Sequence, residues 1–519
     1  MMKNIKYIAL SILAVGFMAC ENETLEDLRN RVNQGEELPA LTAGSADFST
    51  FVSFGNSLTA GFSDGTLFRA AQESSYPSIM AQQFALAGGG TFTQPLVNDN
   101  FGGLALNGTR LRGPRLVTTG GAPVPLESVI GPVTVTTDIA LNNPVGPFNN
   151  LGIPGAKSFH LLAQGYGNLA NFPAAANPYA IRVTGDTPNA SLLELGMAQN
   201  PSFFSLFIGA NDVLGFGTSG GDGSNQITDQ GTFEASYNAI ISTLTSNDAK
   251  GVIANIPDIT DGAFFTTIPN DALEIDATTA GQLTGFFQAV AGIFTQVLIS
   301  QMVPPADAQA LASQYAITFE AGPNRFLIDV PVTASNPLGF RQMTEEEKLL
   351  LTIDQGALAQ GYGSVALTPE VFQVLGLLQA GGTPTPEQGA LVLAAVNGID
   401  DKDALDNDEL SQIRTAIDGY NTVISAAAAN NGLALVDVFD IINQTVTTGY
   451  TSGNYTFTGD LVLGGTVSLD GLHQTSRFNA VLANEFFKAI DATYGSNFEA
   501  SGSLVDVGDY PTNYSPLLQ

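Results

Sequence analysis

Short apolar runs alternate along this chain with stretches whose apolar side chains recur at helical spacing. Phe233, Tyr237, Ile240 and Leu244, for example, fall on one face of a predicted helix. Strands that alternate with amphipathic helices are typical of a doubly wound, three-layer α/β/α fold around a mostly parallel sheet. The pattern predicts five strands, at the strand-like runs Phe51–Gly55, Asn149–Ile153, Phe203–Gly209, Gly251–Ile256 and Leu433–Phe439.

Two long segments interrupt this alternation and are predicted to be insertions. Residues 87–145 are rich in Gly, Thr, Pro and Asn, and we expect long loops with a hairpin there. Residues 262–405 are predicted to form a larger, mainly helical insertion. Helix starts are predicted at Thr344 and Thr385, where capping boxes occur, and at Thr368, which a proline follows.

The stretch 277–306 carries no charged residue and allows two interpretations. Gln282, Gln288 and Gln296 argue against a membrane span. The stretch is therefore either a core helix of the insertion or a lid that shields an apolar pocket. The pattern alone leaves both alternatives open.

A serine follows directly on the first predicted strand. The apolar run Phe51–Phe54 leads into Gly55-Asn56-Ser57-Leu58, and Gly55 and Gly61 permit a sharp turn. A serine at this place exposes its hydroxyl at the carboxyl edge of the sheet and leaves its backbone N–H free to face a developing anion. Ser57 is therefore a candidate nucleophile, provided that the chain supplies a base and an orienting carboxylate.

The chain contains two histidines, and they differ in their sequence surroundings. Asp470 lies three residues before His473, so that its carboxylate can accept a hydrogen bond from Nδ1 and leave Nε2 to take the serine proton. His160, in an amphipathic stretch that begins at Lys157, has no acidic residue near it in sequence. We therefore expect His473 to be the base and His160 to be a packing or surface residue.

Two further strand ends carry groups that could bind an oxyanion. Asn211 follows the third predicted strand, and its side-chain amide is a suitable donor. The loop after the second predicted strand contains Gly152 and Gly155, and a glycine there offers an unobstructed backbone N–H. Each of these features could equally be an ordinary turn at the end of a strand.

Four short blocks, in chain order, resemble those of the SGNH (GDSL) hydrolases: Gly55-Asn56-Ser57-Leu58, Gly155, Gly209-Ala210-Asn211-Asp212 and Asp470-Gly471-Leu472-His473. The resemblance implies a flavodoxin-like fold in which Ser57 is the nucleophile, His473 the base and Asp470 its orienting carboxylate. It also implies an oxyanion hole made by the Ser57 N–H, the Gly155 N–H and the Asn211 side chain. Gly152 is a rival for Gly155. Asn56 replaces the usual aspartate of the family, which bears on local hydrogen bonding rather than on proton transfer.

The first twenty residues resemble a bacterial lipoprotein signal. Lys3 and Lys6 precede the apolar run Tyr7–Met18, which is too short to span a bilayer. Cys20, the single cysteine of the chain, stands at the expected cleavage point. The resemblance implies removal of residues 1–19 and lipidation of Cys20; an ordinary signal peptide followed by a cysteine is the alternative.

The residues that follow are polar and acidic. Residues 20–45 are predicted to be a tether, which leaves 46–519 as the hydrolase domain. The segment Glu21–Asp27 resembles the export signals of surface lipoproteins in the Bacteroidetes. This resemblance implies a protein that is lipid-anchored to the outer membrane and displayed at the cell surface, although a solvated tether is an equally good interpretation.

Acidic residues outnumber basic ones by 49 to 18, which gives a net charge of −31 at pH 7. Such a surface repels phosphate backbones and anionic lipid headgroups, so we expect no nucleic-acid partner and membrane attachment only through acyl chains on Cys20. The acidic stretch 400–409 fails the spacing of a calcium-binding loop and is better explained as a helix N-terminus. We expect no metal and no cofactor.

The sequence as a whole predicts a carboxylic ester hydrolase, a GDSL-like lipase or esterase that acts on a lipid or an acylated carbohydrate. A non-catalytic surface lipoprotein that uses a hydrolase scaffold to bind glycans or envelope components is the alternative. The acyl length stays open, and the apolar stretch 277–306 tilts the expectation slightly towards lipids. The oligomeric state is not indicated by the sequence.

Overall fold

A computed structural model describes residues 38–519 of the chain. The predicted signal peptide, the lipidation site Cys20 and the tether as far as residue 37 lie outside the described residues.

Five parallel strands form the central sheet. Their order across the sheet is β5-β4-β3-β1-β2, and every neighbouring pair is parallel. The chain thus begins in β1, adds β2 on one side and then builds the other strands outwards on the other side. The predicted α/β class and mostly parallel five-stranded sheet are confirmed. The strands are β1 (Phe51–Gly55), β2 (Asn150–Gly152), β3 (Phe203–Phe207), β4 (Lys250–Ala254) and β5 (Ala434–Val436).

The longer helices, with the short helix that follows β1, are α1 (Ser57–Ala60), α2 (Tyr76–Leu86), α3 (Asn211–Thr218), α4 (Gln230–Leu244), α5 (Ala277–Ser300), α6 (Pro305–Ala312), α7 (Pro369–Gln379), α8 (Pro386–Leu393), α9 (Asn407–Asn431), α10 (Val438–Thr447) and α11 (Ser476–Tyr494). Further short helices are Arg69–Glu73, Glu127–Ile130, Pro178–Thr184, Leu192–Met197, Ala263–Thr266 and Gln355–Leu358. Single 3₁₀ turns occur at Ser158–Leu162, Leu169–Asn171, Ile259–Asp261, Ser313–Tyr315, Asp401–Asp403 and Val507–Asp509.

Successive residues of a strand point to opposite faces of the sheet. Helices pack against both of these faces. Val52 and Phe54 of β1 join a buried cluster with α4 and α9. Phe51 of β1 and Phe203 of β3 join a second buried cluster with α2 and α11. Strands β1, β3, β4 and β5 therefore carry apolar side chains on both faces, which explains why they are largely apolar in the sequence.

The prediction for the fifth strand is wrong at the carboxyl end of the strand. The strand stops at Val436, and Asp437 caps α10 by accepting a hydrogen bond from the Asp440 N–H. Val438 and Phe439 are therefore helical, although their apolar side chains continue the strand-like run. The predicted helix near the chain's end is present as α11, capped by Thr475, whose hydroxyl accepts from the Phe478 N–H.

The loop-rich segment 87–145 contains short antiparallel pairs. These are Leu104–Leu106 with Thr109–Arg112, and Leu116–Val117 with Val124–Pro125. A further antiparallel pair, Tyr450–Ser452 with Tyr455–Phe457, follows α10.

The segment 262–405 packs around a buried cluster of its own, formed by side chains of α5, α6, α7 and α8. Helices supply most of its regular structure, and Thr368 and Thr385 cap α7 and α8 as predicted. Short antiparallel pairs lie among them: Leu273–Ile275 with Gly322–Asn324, Leu327–Asp329 with Phe340–Gln342, Lys348–Leu349 with Ala404–Leu405, and Ser364–Val365 with Val396–Asn397.

The helix predicted to start at Thr344 is absent. The Glu347 carboxylate does accept the Thr344 N–H, at 2.7 Å, as in a capping box. The same carboxylate also binds Arg341, and the next residue begins a strand that pairs with Ala404–Leu405. Tertiary pairing therefore overrides the local helix signal here.

Helix α5 corresponds to the uncharged stretch of the sequence. Among residues 38–519 it is the one helix that is long and apolar enough to cross a membrane, a match of length and composition alone. One face of it is buried inside the protein, with Phe287 against Phe319 and Phe294 against Tyr315. Of the two interpretations, the core helix is the one seen in this structure.

Candidate active site

Ser57 is the first residue of α1 and stands at the carboxyl end of β1, a strand in the interior of the sheet. Asn56 separates strand from helix, and its side-chain oxygen accepts the Leu58 N–H at 3.0 Å, so it caps the helix. The Asn56 amide nitrogen is buried and has no hydrogen-bond partner among the described residues. Ser57 is only 5% exposed, and its hydroxyl makes no hydrogen bond to the described part of the chain.

Two glycines allow α1 to lie close to the end of the sheet. A Cβ at Gly55 would lie 2.0 Å from the Thr59 hydroxyl, and a Cβ at Gly152 would lie 2.4 Å from the Ala60 nitrogen. Neither place has room for a side chain. The position of the Ser57 hydroxyl therefore depends on glycine at both positions.

Asp470 and His473 are joined as the sequence predicts. Asp470 Oδ2 lies 2.8 Å from His473 Nδ1, and Oδ1 accepts the backbone N–H groups of Leu472 and His473 at 3.0 and 2.9 Å. Burial by itself would raise the pKa of Asp470, but the charge of His473 and these hydrogen bonds lower it below its ordinary value. The carboxylate is thus ionised at neutral pH and fixes the orientation of the imidazole ring.

A turn near Ser57 holds Asp470 in place. Gly65 donates its N–H to Asp470 Oδ2 at 2.9 Å, and the Asp64 N–H donates to the Ser468 hydroxyl at 3.0 Å. That hydroxyl in turn donates to Asp470 Oδ1 at 3.2 Å. The segments that carry the serine and the histidine are therefore linked by direct hydrogen bonds.

The side chain of Asp64 completes this link and is the residue that sequence reasoning missed. Its Oδ1 accepts the Leu469 N–H at 3.1 Å, whereas its Oδ2 is buried without a partner among the described residues. Burial raises the pKa of Asp64 to about 7; the Leu469 N–H and Arg115 oppose the shift and Asp470 adds to it. The sequence Asp64-Gly65 indicates a turn. It does not indicate which distant segment of the chain this turn is bonded to.

Asn211 is held by the loop that follows β2. Its side-chain nitrogen donates to the Ala156 carbonyl at 2.9 Å, which orients the amide and leaves its second N–H available. The neighbouring carboxylate, Asp212, is buried and accepts both the backbone N–H and the hydroxyl of Ser158 at 2.8 Å. Burial raises the pKa of Asp212, and these hydrogen bonds oppose the shift.

The two candidate glycine donors differ in availability. Gly152 lies within β2, is buried, and donates its N–H to Asn150 Oδ1 at 3.0 Å. Gly155 is exposed, has a φ of +80°, and its N–H has no partner within residues 38–519. Gly155 is the better donor by this criterion, although it does not line the cavity described next.

One cavity of about 70 Å³ brings Ser57, Asn211 and His473 together. Asp470 lies behind His473 and does not line it. Most of the other lining side chains are apolar, with two carboxylates at the edge: Leu58, Leu214, Pro257, Asp258, Ile259, Asp261, Ile442, Val467 and Leu472. Burial raises the pKa of Asp261 to about 6, and the neighbouring charge of Asp258 adds to the shift.

His160 lies apart from this cavity. Its ring stacks on Tyr166 with 4.4 Å between centroids, and its Nδ1 accepts the Lys157 N–H at 3.0 Å. Burial and the nearby Lys157 charge lower the pKa of His160 to about 4. The ring is therefore a neutral packing residue near pH 7.

No group of three or more His, Cys, Asp or Glu side chains in the described ranges is arranged to hold a metal ion. In the acidic stretch 400–409, Asp406 caps α9 and pairs with Glu409 in a capping box. This is the helix N-terminus that the sequence indicates.

Comparison with known proteins identifies no relative: no family model, no curated protein and no solved structure matches this chain.

The buried carboxyl of Asp64 should make stability depend on pH. Folding raises the pKa of Asp64 from 3.8 to about 7. The contribution of Asp64 to the free energy of unfolding is therefore fully present below about pH 4 and is lost as the pH rises through 7. Asp64→Asn keeps an oxygen for the Leu469 N–H and does not ionise. The decline in unfolding free energy between about pH 4 and 8, measured by urea denaturation, should shrink by at least about 1 kcal/mol.

Asp222→Asn is the matched control, because the Asp222 side chain is exposed on a loop. That variant should show the same decline as the wild type over this range. An Asp64→Asn protein whose decline equals that of the wild type would contradict the assignment of a raised pKa to Asp64.

Proposed function

We propose that this chain is an SGNH-type serine hydrolase that cleaves carboxylic esters. The observation that carries the proposal is the shared cavity: Ser57 and His473 line it together, and Asp470 is hydrogen-bonded to His473 from behind. A nucleophile, a base and a group that orients the base are the parts that covalent acyl transfer requires.

In the proposed reaction, His473 Nε2 takes the proton of the Ser57 hydroxyl as the oxygen attacks the acyl carbon. The carbonyl oxygen becomes an oxyanion, and His473 then gives the proton to the departing alcohol. Water enters, loses a proton to His473 and attacks the acyl-serine ester. As the carboxylic acid is released, His473 returns that proton to the Ser57 oxygen, which restores both residues. Asp470 stays ionised throughout and stabilises the positively charged imidazole.

The oxyanion is proposed to lie against the Ser57 N–H, the Gly155 N–H and the Asn211 amide. Asn211 is supported by its place on the cavity wall and by the Ala156 carbonyl that orients it. Gly155 is supported by its free N–H. Donors that are fixed before the reaction stabilise the developing charge without reorganisation.

A non-catalytic binding protein on the same scaffold is the second candidate. The absence of a hydrogen bond to the Ser57 hydroxyl, within residues 38–519, favours it. Unliganded hydrolases often show such a loose contact, however, because the catalytic hydrogen bonds tighten only when substrate binds. A fluorophosphonate probe separates the two candidates: covalent labelling at Ser57 supports the hydrolase, and an unlabelled protein supports the binding role.

Ser57→Ala should abolish hydrolysis of p-nitrophenyl acetate, lowering kcat by several orders of magnitude, because the change removes the hydroxyl that attacks the acyl carbon. Ser128→Ala, at an exposed serine of the short helix Glu127–Ile130 that does not line the cavity, should retain full activity. Circular dichroism checks that both variants fold. A Ser57→Ala protein with more than about a tenth of wild-type activity would exclude this site.

The only two histidines of the sequence provide a matched pair for testing the base. His473→Gln should lose activity at every pH, because Nε2 must be free to accept the serine proton. His160→Gln should keep wild-type activity, because its ring packs on Tyr166 and lies apart from the cavity. A His473→Gln protein as active as the wild type would count against His473 as the base.

Asn211→Ala should lower kcat by about 10² to 10³ with a smaller effect on KM, as expected for a donor that acts mainly in the transition state. Asn225→Ala, at an exposed asparagine just beyond α3, should change neither constant. Equal activity of Asn211→Ala and wild type would remove Asn211 from the oxyanion hole.

A further inference from the structure

The candidate catalytic cavity is small. Its volume is about 70 Å³, whereas one water molecule needs roughly 10–15 Å³ by the same kind of measure. A space of this size accepts an acyl group of a few carbon atoms. Its lining is mainly apolar, with Leu214, Ile259 and Ile442 among the side chains.

A larger and more polar groove adjoins this cavity. The two share Thr445 and Gly459, and the groove has a volume of about 710 Å³. Threonines from three separate segments line it, together with the exposed carboxylate Asp460. The threonines are Thr266, Thr267, Thr447, Thr448, Thr456 and Thr458.

The hydroxyls and the carboxylate of the groove are available to a ligand as acceptors. Thr447 donates its own proton to the Asn443 carbonyl in α10, and Thr458 donates to Asp460, so the oxygen lone pairs of these two hydroxyls remain free. Thr456 shares a hydrogen bond of 3.4 Å with the Thr451 hydroxyl at the edge of its strand pair. A carboxylate accepts several hydrogen bonds at once. The matching ligand is one that carries many hydroxyl donors.

The charge of the two cavities restricts the ligand further. Within the described chain no lysine or arginine lines either of them, and Asp258, Asp261 and Asp460 are all acidic. With a net charge of −31 on the whole chain, an anionic headgroup or an acidic polysaccharide would be repelled. A neutral polyhydroxyl compound meets no such barrier.

We propose that the alcohol part of the substrate is a neutral glycan bound in this threonine-lined groove, with a short acyl group in the cavity beside Ser57. The substrate class is then an O-acylated neutral glycan. This inference rests on the proposed ester hydrolysis for its reaction, but the groove itself would bind the glycan in either case.

A long-chain lipid ester is the competing substrate, and it needs an apolar groove that continues from the cavity. The apolar groove between α5 and α7, which includes Gly285 and Phe372, shares no lining residue with the catalytic cavity. Within residues 38–519, α5 contributes no side chain to the catalytic cavity. A lipid chain leaving Ser57 would therefore enter the threonine-lined groove instead.

The test compares two substrates, p-nitrophenyl acetate and a chemically O-acetylated neutral oligosaccharide, on the double variant Thr447→Val and Thr456→Val. Valine keeps the shape of threonine and removes the hydroxyl. The ratio of kcat/KM for the oligosaccharide to that for p-nitrophenyl acetate should fall about tenfold, as expected for the loss of two hydrogen bonds to substrate. Thr422→Val is the control, because Thr422 is exposed on α9 and donates to a helix carbonyl as Thr447 does. It should leave the ratio unchanged.

Calorimetry with the non-acetylated oligosaccharide and the Ser57→Ala protein separates the groove from the chemistry. Binding that the double valine change weakens supports the groove even if no ester is cleaved, in which case only the proposed hydrolase function fails. No binding together with an unchanged substrate ratio overturns the inference. Preference for p-nitrophenyl palmitate over p-nitrophenyl acetate also overturns it and assigns the site to lipids.

Discussion

The candidate site depends on one set of hydrogen bonds, which joins the turn at Asp64-Gly65 to the segment Ser468–Asp470. Gly65 and Asp470 are 405 positions apart in the chain. Bringing such distant segments together costs conformational entropy, and the packing of α2 against α11 offsets that cost, with Tyr76 stacked on Phe486. Since one oxygen of Asp64 has no partner among the described residues, this link also carries a polar group whose burial is unfavourable once it ionises.

The parallel sheet determines which groups meet at this edge. β1 lies between β2 and β3, so the loops that leave these three strands all begin at the same end of the sheet. At such a point neighbouring connections diverge to opposite faces and leave a crevice. Ser57 follows β1 and Asn211 follows β3 after a short turn, and both line the cavity there. Of the groups that the proposed chemistry requires, only Asp470 and His473 come from a segment that does not follow β1, β2 or β3.

The sequence predicts the sheet well because its strands are buried on both faces and four of the five are largely apolar. The same signal fails at Val438 and Phe439, where a cap at Asp437 starts a helix within an apolar run. Asp470 and His473 are predictable because the two residues interact within one turn. The hydrogen bond from the Leu469 N–H to Asp64 is not predictable, because it joins two turns that are far apart in the sequence.

The apolar stretch 277–306 leads us to expect a lipid substrate, but its place in the structure does not support one. As a free apolar surface, α5 would favour a lipid ester, but its phenylalanines pack against Phe319 and Tyr315 of the same segment. The hydrophobicity that suggests a lipid site is thus used to fold the insertion. What remains next to Ser57 is a small, mainly apolar cavity that adjoins a groove of threonines and a carboxylate. A short acyl group on a hydroxyl-rich alcohol satisfies both surfaces, whereas a long acyl chain would leave hydroxyl groups buried against methylenes.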